Sequence, residues 1–153
     1  KTASLMAAAA EIGALCGAQE HRASLLEFGQ ALGMVFQIAD DMIDYTEAQE
    51  TTGKPTGLDL REHKVTLPLI AALRTMPSNH RKRVDALFAS SEPTDAMVAD
   101  VLSLVAENGG LDYARGKGEY FADRARKALL TMPETVARRS LMDSITYVME
   151  RHS

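Results

Sequence analysis

Three aspartates, Asp40, Asp41 and Asp44, follow an apolar stretch of the chain with no Gly or Pro between them. Aspartate is unfavourable inside a helix because its short carboxylate competes for backbone hydrogen bonds. On a helix of about 100° per residue, these three side chains and Gln37 fall within one arc of roughly 100°. Like charges this close repel one another unless a cation lies among them. The spacing therefore indicates a cation site with Asp40, Asp41 and Asp44 as candidate ligands.

The ligand atoms favour Mg²⁺ over other ions. Carboxylate oxygens are hard ligands, and Mg²⁺ typically joins one or two carboxylates to the phosphates of a substrate. A calcium hand is a poor match because the chain after Asp44 lacks the Asp-x-Asp-x-Asp-Gly order. Zinc is disfavoured because Cys16 and the four histidines lie far apart in sequence. A solvated helix face that binds nothing is the alternative interpretation of the three acids.

Three lysines extend the pattern. Lys54 lies in the sequence TGKPTG, Lys64 precedes a Thr-Leu-Pro sequence, and Lys1 begins the chain. An ammonium group is a compact charge that suits a phosphate, although most single lysines only solvate a surface. Beside an acidic metal site they favour a phosphorylated substrate.

Composition limits the classes of function. The chain has 153 residues, a net charge of −4, 46% apolar residues and a single cysteine. These values predict one domain with a real core, no nucleic-acid partner, and a reducing, cytoplasmic compartment without a disulfide framework. No apolar run reaches the length of about 18 residues that a membrane span needs. Cys16, among small and apolar neighbours, is predicted to be a small buried side chain.

Hydrophobic periodicity predicts an all-α fold, a single helical bundle with no strands. Gly29 and Gly33 stand four residues apart and predict a close helix contact, since each otherwise costs about 1 kcal/mol relative to Ala. A polar loop is expected over 47–63, and Ser78, Thr94 and Thr131 are expected to start helices. The expected helices cover about 2–17, 22–44, 66–76, 79–89, 94–107, 109–131 and 134–150.

The chain resembles the trans-isoprenyl diphosphate synthases, the polyprenyl synthetases that make all-trans prenyl chains. Two stretches carry the resemblance, GMVFQIADDMID over residues 33–44 and GKPTGLDLREHKVTLPLI over residues 53–70. Lys1-Thr2 resembles the Lys-Thr element that precedes the second Asp-rich region of that family. The resemblance implies the C-terminal half of the isoprenoid synthase type of helical bundle.

The resemblance also implies an activity, prenyl transfer from an allylic diphosphate to isopentenyl diphosphate with Mg²⁺. Asp40 would ligate the metal, and Asp41 and Asp44 would do so directly or through water. Thr2 and Gln37 would offer oxygen dipoles to a carbocation. The diphosphate would be held by lysines: Lys1, Lys54 and Lys64.

Several expectations follow from what the resemblance leaves out. The family's first Asp-rich motif is absent, so we expect a piece of a longer synthase that is inactive alone. His63 stands where the family has Gly, a departure that concerns the conformation of the loop before Lys64. Such a piece of a synthase should leave an apolar face bare, so we expect either self-association through that face or helices displaced from the parental arrangement. The synthase is expected to be a homodimer. The alternatives are a non-catalytic partner subunit that keeps the fold, and a cation-binding bundle unrelated to prenyl chemistry.

Overall fold

In the computed structural model, residues 1–46 and 56–150 are described. Within these ranges there are eight α-helices and no β-strand, so the predicted helical class is confirmed. A 3-10 turn, Gln19–His21, joins the first two helices. The helices are α1 Thr2–Gly17, α2 Arg22–Thr46, α3 Leu58–Arg61, α4 Leu67–Thr75, α5 Ser78–Ala89, α6 Asp95–Glu107, α7 Gly110–Leu130 and α8 Val136–Glu150.

The chain divides into two compact units. The first consists of residues 1–39 and the chain from residue 116 onwards, and the second of Asp40–Arg115. Helices α2 and α7 contribute residues to both. Each unit has its own cluster of buried apolar side chains.

In the first unit, the two glycines of α2 allow α1 to approach at backbone distance. A Cβ atom on Gly33 would lie 2.5 Å from the Cα atom of Ala3, and one on Gly29 would lie 2.5 Å from the carbonyl oxygen of Met6. Real Cβ atoms do not make such contacts, so these positions require Gly. The predicted close helix contact is confirmed.

The buried side of α1 is its alanine side. Ala7 and Ala14 are buried, whereas Leu5 and Ile12 are 72% and 60% exposed. Cys16 is exposed, so the prediction of a buried thiol is wrong. The thiol is exposed because the glycines of α2 admit only small side chains from α1, so the larger residues of α1 face outward.

The remaining core of the first unit comes from α2, α7 and α8. The most buried positions in this part of the core are Ala122, Ala125 and Leu129 on α7 and Ile145 on α8, with Val148 beside them. Together with α2 these side chains form one cluster: Leu25, Phe28, Ala31, Val35, Ala39, Ala122, Ala125, Ala128, Leu129, Ile145 and Val148.

The second unit packs α3 to α6 and the end of α2 around one cluster. Tyr45 and Leu60 enter it from the chain on either side of residues 47–55. The predicted loop over 47–63 is wrong at Leu58–Arg61, which forms one helical turn. Met76, just after α4, also belongs to the cluster. The other members come from the longer helices: Leu69, Ala72, Val84, Leu87, Val98, Val101, Leu104 and Val105.

Helix caps follow the sequence signals in part. Thr94 caps α6 as predicted, because its side chain accepts from the amide of Met97. Thr131 does not start a helix, since its hydroxyl donates to the carbonyl of Ala128 behind it. Thr135 instead accepts from the amide of Arg138 at the start of α8. The residue that caps the start of α8 is therefore a Thr, as predicted, but it is Thr135 and not Thr131.

The close contact of α1 with α2 can be tested with two Gly-to-Ala changes. Gly33→Ala should lower the free energy of unfolding by about 1–3 kcal/mol, because the added methyl meets the backbone of Ala3. Gly116→Ala in α7 is the matched control. A Cβ atom there meets nothing within 4 Å, so helix propensity should raise stability by up to about 1 kcal/mol. Chemical denaturation of the protein at its natural length measures both, and equal effects would contradict the contact.

Candidate functional site

The acidic end of α2 is joined to the chain that returns after residues 47–55. The Asp44 carboxylate accepts the amide of Leu58 on Oδ1 and the amide of Asp59 on Oδ2, each at 2.9 Å. The Asp44 carbonyl accepts the amide of Gly57, also at 2.9 Å. The amides of three successive residues thus donate to Asp44, which the sequence predicted to be a metal ligand.

The residues 57–66, hereafter the lysine segment, turn tightly after this attachment. The amide of Lys64 donates to the carbonyl of Asp59 at 2.7 Å. The turn places His63 at φ 54°, the left-handed region that favours Gly. The family resemblance implies Gly at this position, and the backbone has a conformation that Gly favours although His occupies it. The ring of His63 lies 5.7 Å from that of Phe88, centroid to centroid.

Lys64 is held by two carboxylates of its own segment. Its ammonium nitrogen lies 2.6 Å from Glu62 Oε2 and 3.2 Å from Asp59 Oδ1. The hydrogen bonds to Glu62 and Asp59 raise the pKa of the Lys64 ammonium above its usual value. The side chain is 57% exposed, so Lys64 presents a permanent positive charge at the surface.

The far end of the lysine segment is held by the residue next to Asp44. The buried Tyr45 hydroxyl shares a hydrogen bond of 3.1 Å with the hydroxyl of Thr66. Burial raises the pKa of the Tyr45 hydroxyl, and the nearby carboxylates raise it further, so the phenol stays protonated. Thr66 precedes α4 as predicted, but its side chain bonds to Tyr45 and not to the first amides of that helix.

The three predicted metal ligands differ in their surroundings. Asp40 is exposed, whereas Asp41 and Asp44 are half-buried. Partial burial raises the pKa of Asp44, although the amides of Asp59 and Leu58 lower it. Within residues 1–46 and 56–150, no three or more Asp, Glu, His or Cys side chains are grouped so as to hold a metal ion.

The other predicted residues are distributed as follows. In the first unit, the Thr2 hydroxyl donates to Gln37 Oε1 at 3.2 Å, which pairs the two candidate catalytic side chains. Lys1 is exposed in the same unit, where its carbonyl accepts the amide of Leu5 at the start of α1. Lys64 belongs to the second unit together with the three aspartates. Lys54 lies outside the described residues.

Sequence reasoning missed Asp59, Glu62 and Tyr45. Asp59 lies five residues before Lys64 in a stretch rich in Gly and charged residues, a spacing that a turn can close into an ion pair. That spacing was the available signal. Tyr45 carried none, since a Tyr at the end of an apolar helix is ordinarily a core residue.

The sequence was also compared with known proteins. The family model for polyprenyl synthetase matches residues 1–105, which include the Asp-rich end of α2 and the whole lysine segment. The chain belongs to the polyprenyl synthetase family. The resemblance expected from residues 33–44 and 53–70 is confirmed.

Individual relatives agree with this assignment. The chain is 35% identical over 152 residues to the all-trans-nonaprenyl-diphosphate synthase of Rhodobacter capsulatus, covering 99% of this chain and 46% of the relative. It is 37% identical over 155 residues to heptaprenyl diphosphate synthase component 2 of Geobacillus stearothermophilus, covering 99% and 47%. The chain therefore spans about half the length of the curated relatives it matches.

A solved structure gives the fold. Polyprenyl synthase from Caulobacter crescentus, complexed with calcium and isoprenyl diphosphate, matches with a TM-score of 0.90 and 34% identity, covering all of this chain and 47% of that one. The fold is the all-α isoprenoid synthase fold, as predicted. Among the described residues of this polyprenyl synthetase chain, no helix is long and apolar enough to cross a membrane.

The backbone at His63 can be tested with a pair of variants. His63→Ala and His63→Gly both remove the ring beside Phe88, but only Ala keeps a Cβ atom at positive φ. The Gly variant should therefore be more stable than the Ala variant by about 1 kcal/mol. Thermal unfolding of both variants at natural length measures the difference. An Ala variant as stable as the Gly variant would show that the left-handed conformation is not maintained in solution.

Proposed function

We propose that the protein carrying this chain is a Mg²⁺-dependent prenyltransferase that makes an all-trans polyprenyl diphosphate. Its substrates would be an allylic diphosphate and isopentenyl diphosphate. One observation supports this above others: Asp44 attaches the Lys64-bearing segment to the end of α2 that carries Asp40 and Asp41. Carboxylates for a cation and an ammonium for a phosphate then belong to one continuous structure in the second unit.

The reaction breaks the bond between the allylic carbon and the diphosphate oxygen, and the electron pair leaves with the diphosphate. The double bond of isopentenyl diphosphate adds to the allylic carbocation, and loss of a proton forms a new double bond. The chain must therefore hold two anionic groups, stabilise a transient cation and exclude water.

The acidic residues supply oxygen ligands suited to the metal. We assign Asp40, which is exposed, and Asp41 as the carboxylates that would hold Mg²⁺. Each carboxylate oxygen of Asp44 already accepts a backbone amide. Asp44 would therefore contact the ion through bound water, which leaves these two hydrogen bonds in place. When bound, Mg²⁺ would stabilise the charge of the departing diphosphate as a Lewis acid.

The lysines and the Thr2–Gln37 pair take the remaining roles. Lys1 and Lys54 would bind the allylic diphosphate, and Lys64 would add its charge at the mouth of the site. Gln37 would turn its carbonyl dipole toward the carbocation, with the Thr2 hydroxyl fixing the orientation of the amide. A buried apolar surface without nucleophiles would protect the carbocation from water. We also expect the protein to work in the cytoplasm.

A second function is a non-catalytic partner subunit. The Geobacillus relative is named component 2 of heptaprenyl diphosphate synthase, so a member of this family can be one component of an enzyme. A partner subunit needs the fold but not the metal site, so binding measurements separate the two functions. Residues 1–153 alone are expected to be inactive in either case, and a turnover assay with both diphosphates and Mg²⁺ tests this.

Metal and phosphate binding provide the main test. Calorimetry on the protein at natural length should detect Mg²⁺ binding that strengthens when inorganic pyrophosphate is present, since each ligand neutralises charge for the other. Asp40→Ala should weaken this binding by about 10-fold or more and lower turnover by about 100-fold or more. Circular dichroism should stay unchanged because Asp40 is exposed.

Asp85→Asn provides the control for this experiment. Asp85 is an exposed carboxylate on α5, and its change should leave both binding and turnover as they are. Mg²⁺ binding that pyrophosphate does not strengthen would refute the prenyltransferase proposal, and absence of Mg²⁺ binding would refute it in favour of the partner-subunit function. Full turnover in the Asp40 variant would refute the metal role of that residue.

We also propose that the protein at its natural length is a homodimer and that residues 1–153 alone self-associate. Leu5, Ile12 and Leu15 form an exposed apolar row on α1 of these residues, and soluble monomers rarely expose contiguous apolar patches. Sedimentation velocity should therefore give a mass above that of one chain for residues 1–153, and the mass of two chains for the natural-length protein. A single-chain mass at micromolar concentration would contradict the corresponding proposal without bearing on the chemistry.

A further inference from the structure

Asp44 differs from its two neighbouring acids in how its oxygens are used. Each carboxylate oxygen accepts one backbone amide at 2.9 Å, from Leu58 and Asp59. Hydrogen bonds to a charged acceptor are about twice as strong as neutral ones. A move of the carboxylate toward an ion would lengthen both bonds and leave two amides without their acceptor.

A continuous path leads from this carboxylate to Lys64. Asp59 donates its amide to Asp44, and its own carbonyl accepts the amide of Lys64 at 2.7 Å. The Asp59 carboxylate then lies 3.2 Å from the Lys64 ammonium. The position of Asp44 therefore fixes the Asp59 backbone, and the Asp59 backbone and side chain together fix both ends of the lysine.

The opposite end of the lysine segment is attached independently. Tyr45 holds Thr66 through their hydroxyl groups at 3.1 Å. The two consecutive residues at the end of α2 thus attach the beginning and the end of the same segment. Only the Asp44 attachment lies on the path to Lys64, which makes Tyr45 a natural control.

We propose that Asp44 is a positioning residue that acts through Asp59 to fix Lys64 for a diphosphate, and not a direct ligand of magnesium. The part of this inference that concerns the diphosphate rests on the proposed function. The part that concerns the lysine segment does not.

Three variants at natural length separate the roles. Asp44→Asn keeps the size of the side chain but puts an amide NH₂ group against a backbone N–H, so one of the two hydrogen bonds is lost. Tyr45→Phe removes only the hydroxyl at Thr66. Asp40→Ala removes the exposed acid assigned to the metal. Circular dichroism first establishes that all three variants fold.

The first measurement is hydrogen exchange of the peptide covering residues 56–62. Asp44→Asn should increase the exchange rate of this peptide by about 10-fold or more, because the lost bond was made to a charged acceptor. Tyr45→Phe and Asp40→Ala should leave the rate unchanged. Equal exchange in Asp44→Asn and the wild type would overturn the proposal. This readout needs no enzymatic activity.

The second measurement is kinetic. Asp44→Asn should raise the KM for the allylic diphosphate by about 10-fold, as expected when a charge-assisted contact is lost, and leave the Mg²⁺ concentration for half-maximal activity unchanged. Adding Asp44→Asn to Lys64→Ala should cause little further loss, because both changes act through the same ammonium group. A Mg²⁺ requirement that rises as it does in Asp40→Ala would identify Asp44 as a metal ligand and overturn the proposal.

Failure of the proposed function is distinguishable from failure of this inference. If the natural-length protein transfers no prenyl group, calorimetry with inorganic pyrophosphate replaces the kinetics. A pyrophosphate affinity that falls equally in Asp44→Asn and Lys64→Ala would support positioning without prenyl transfer. An affinity that falls only in Lys64→Ala would overturn positioning by Asp44.

Discussion

The Asp44 carboxylate accepts the amides of Leu58 and Asp59. The position of the lysine segment in the second unit depends on these two hydrogen bonds. They need Gly57 just before those amides. Gly57 has φ 73°, and a Cβ atom there would clash with a side-chain methyl of Val98. The backbone can thus come close to both α6 and the end of α2 only because this residue has no side chain. One glycine and one carboxylate together determine where the lysine segment begins.

In the first unit, a comparable constraint acts through size alone. Gly33 admits Ala3 at backbone distance, and the residue next to Ala3 is Thr2, whose hydroxyl reaches Gln37 one turn further along α2. A larger residue at either contact position would separate the helices and break this hydrogen bond. The pairing of the two polar side chains is therefore a consequence of packing between small residues several ångströms away. The same packing turns Leu5 and Ile12 outward.

The helices could be predicted from the sequence because apolar periodicity is a local signal. Apolar periodicity located α1, α2 and α4 to α8 to within about two residues. It failed where the decision was tertiary. Cys16 is exposed because α1 packs through alanines, and no local pattern ranks two apolar faces of one helix. Asp44 bonds to amides 14 and 15 residues away, and a helical projection shows only which acids share an arc, not what each one faces. The resemblance implied Gly at position 63, but the left-handed conformation that His63 adopts there could not be predicted from the residue itself.

The surroundings of Lys64 explain how a lysine can be both ordered and ready to bind an anion. Its two carboxylate partners keep the ammonium charged, and Asp59 in particular is fixed by its backbone bond to Asp44. Both ion pairs are nevertheless partly exposed to water, which weakens them. Under the proposed function, a diphosphate would replace the 49% exposed Glu62 as a partner of Lys64, while Asp59 stays bound to the same nitrogen. The lysine ammonium has three N–H donors, so it can bond to a carboxylate and a phosphate at the same time. Diphosphate binding would then replace Glu62 and leave Lys64 bonded to Asp59.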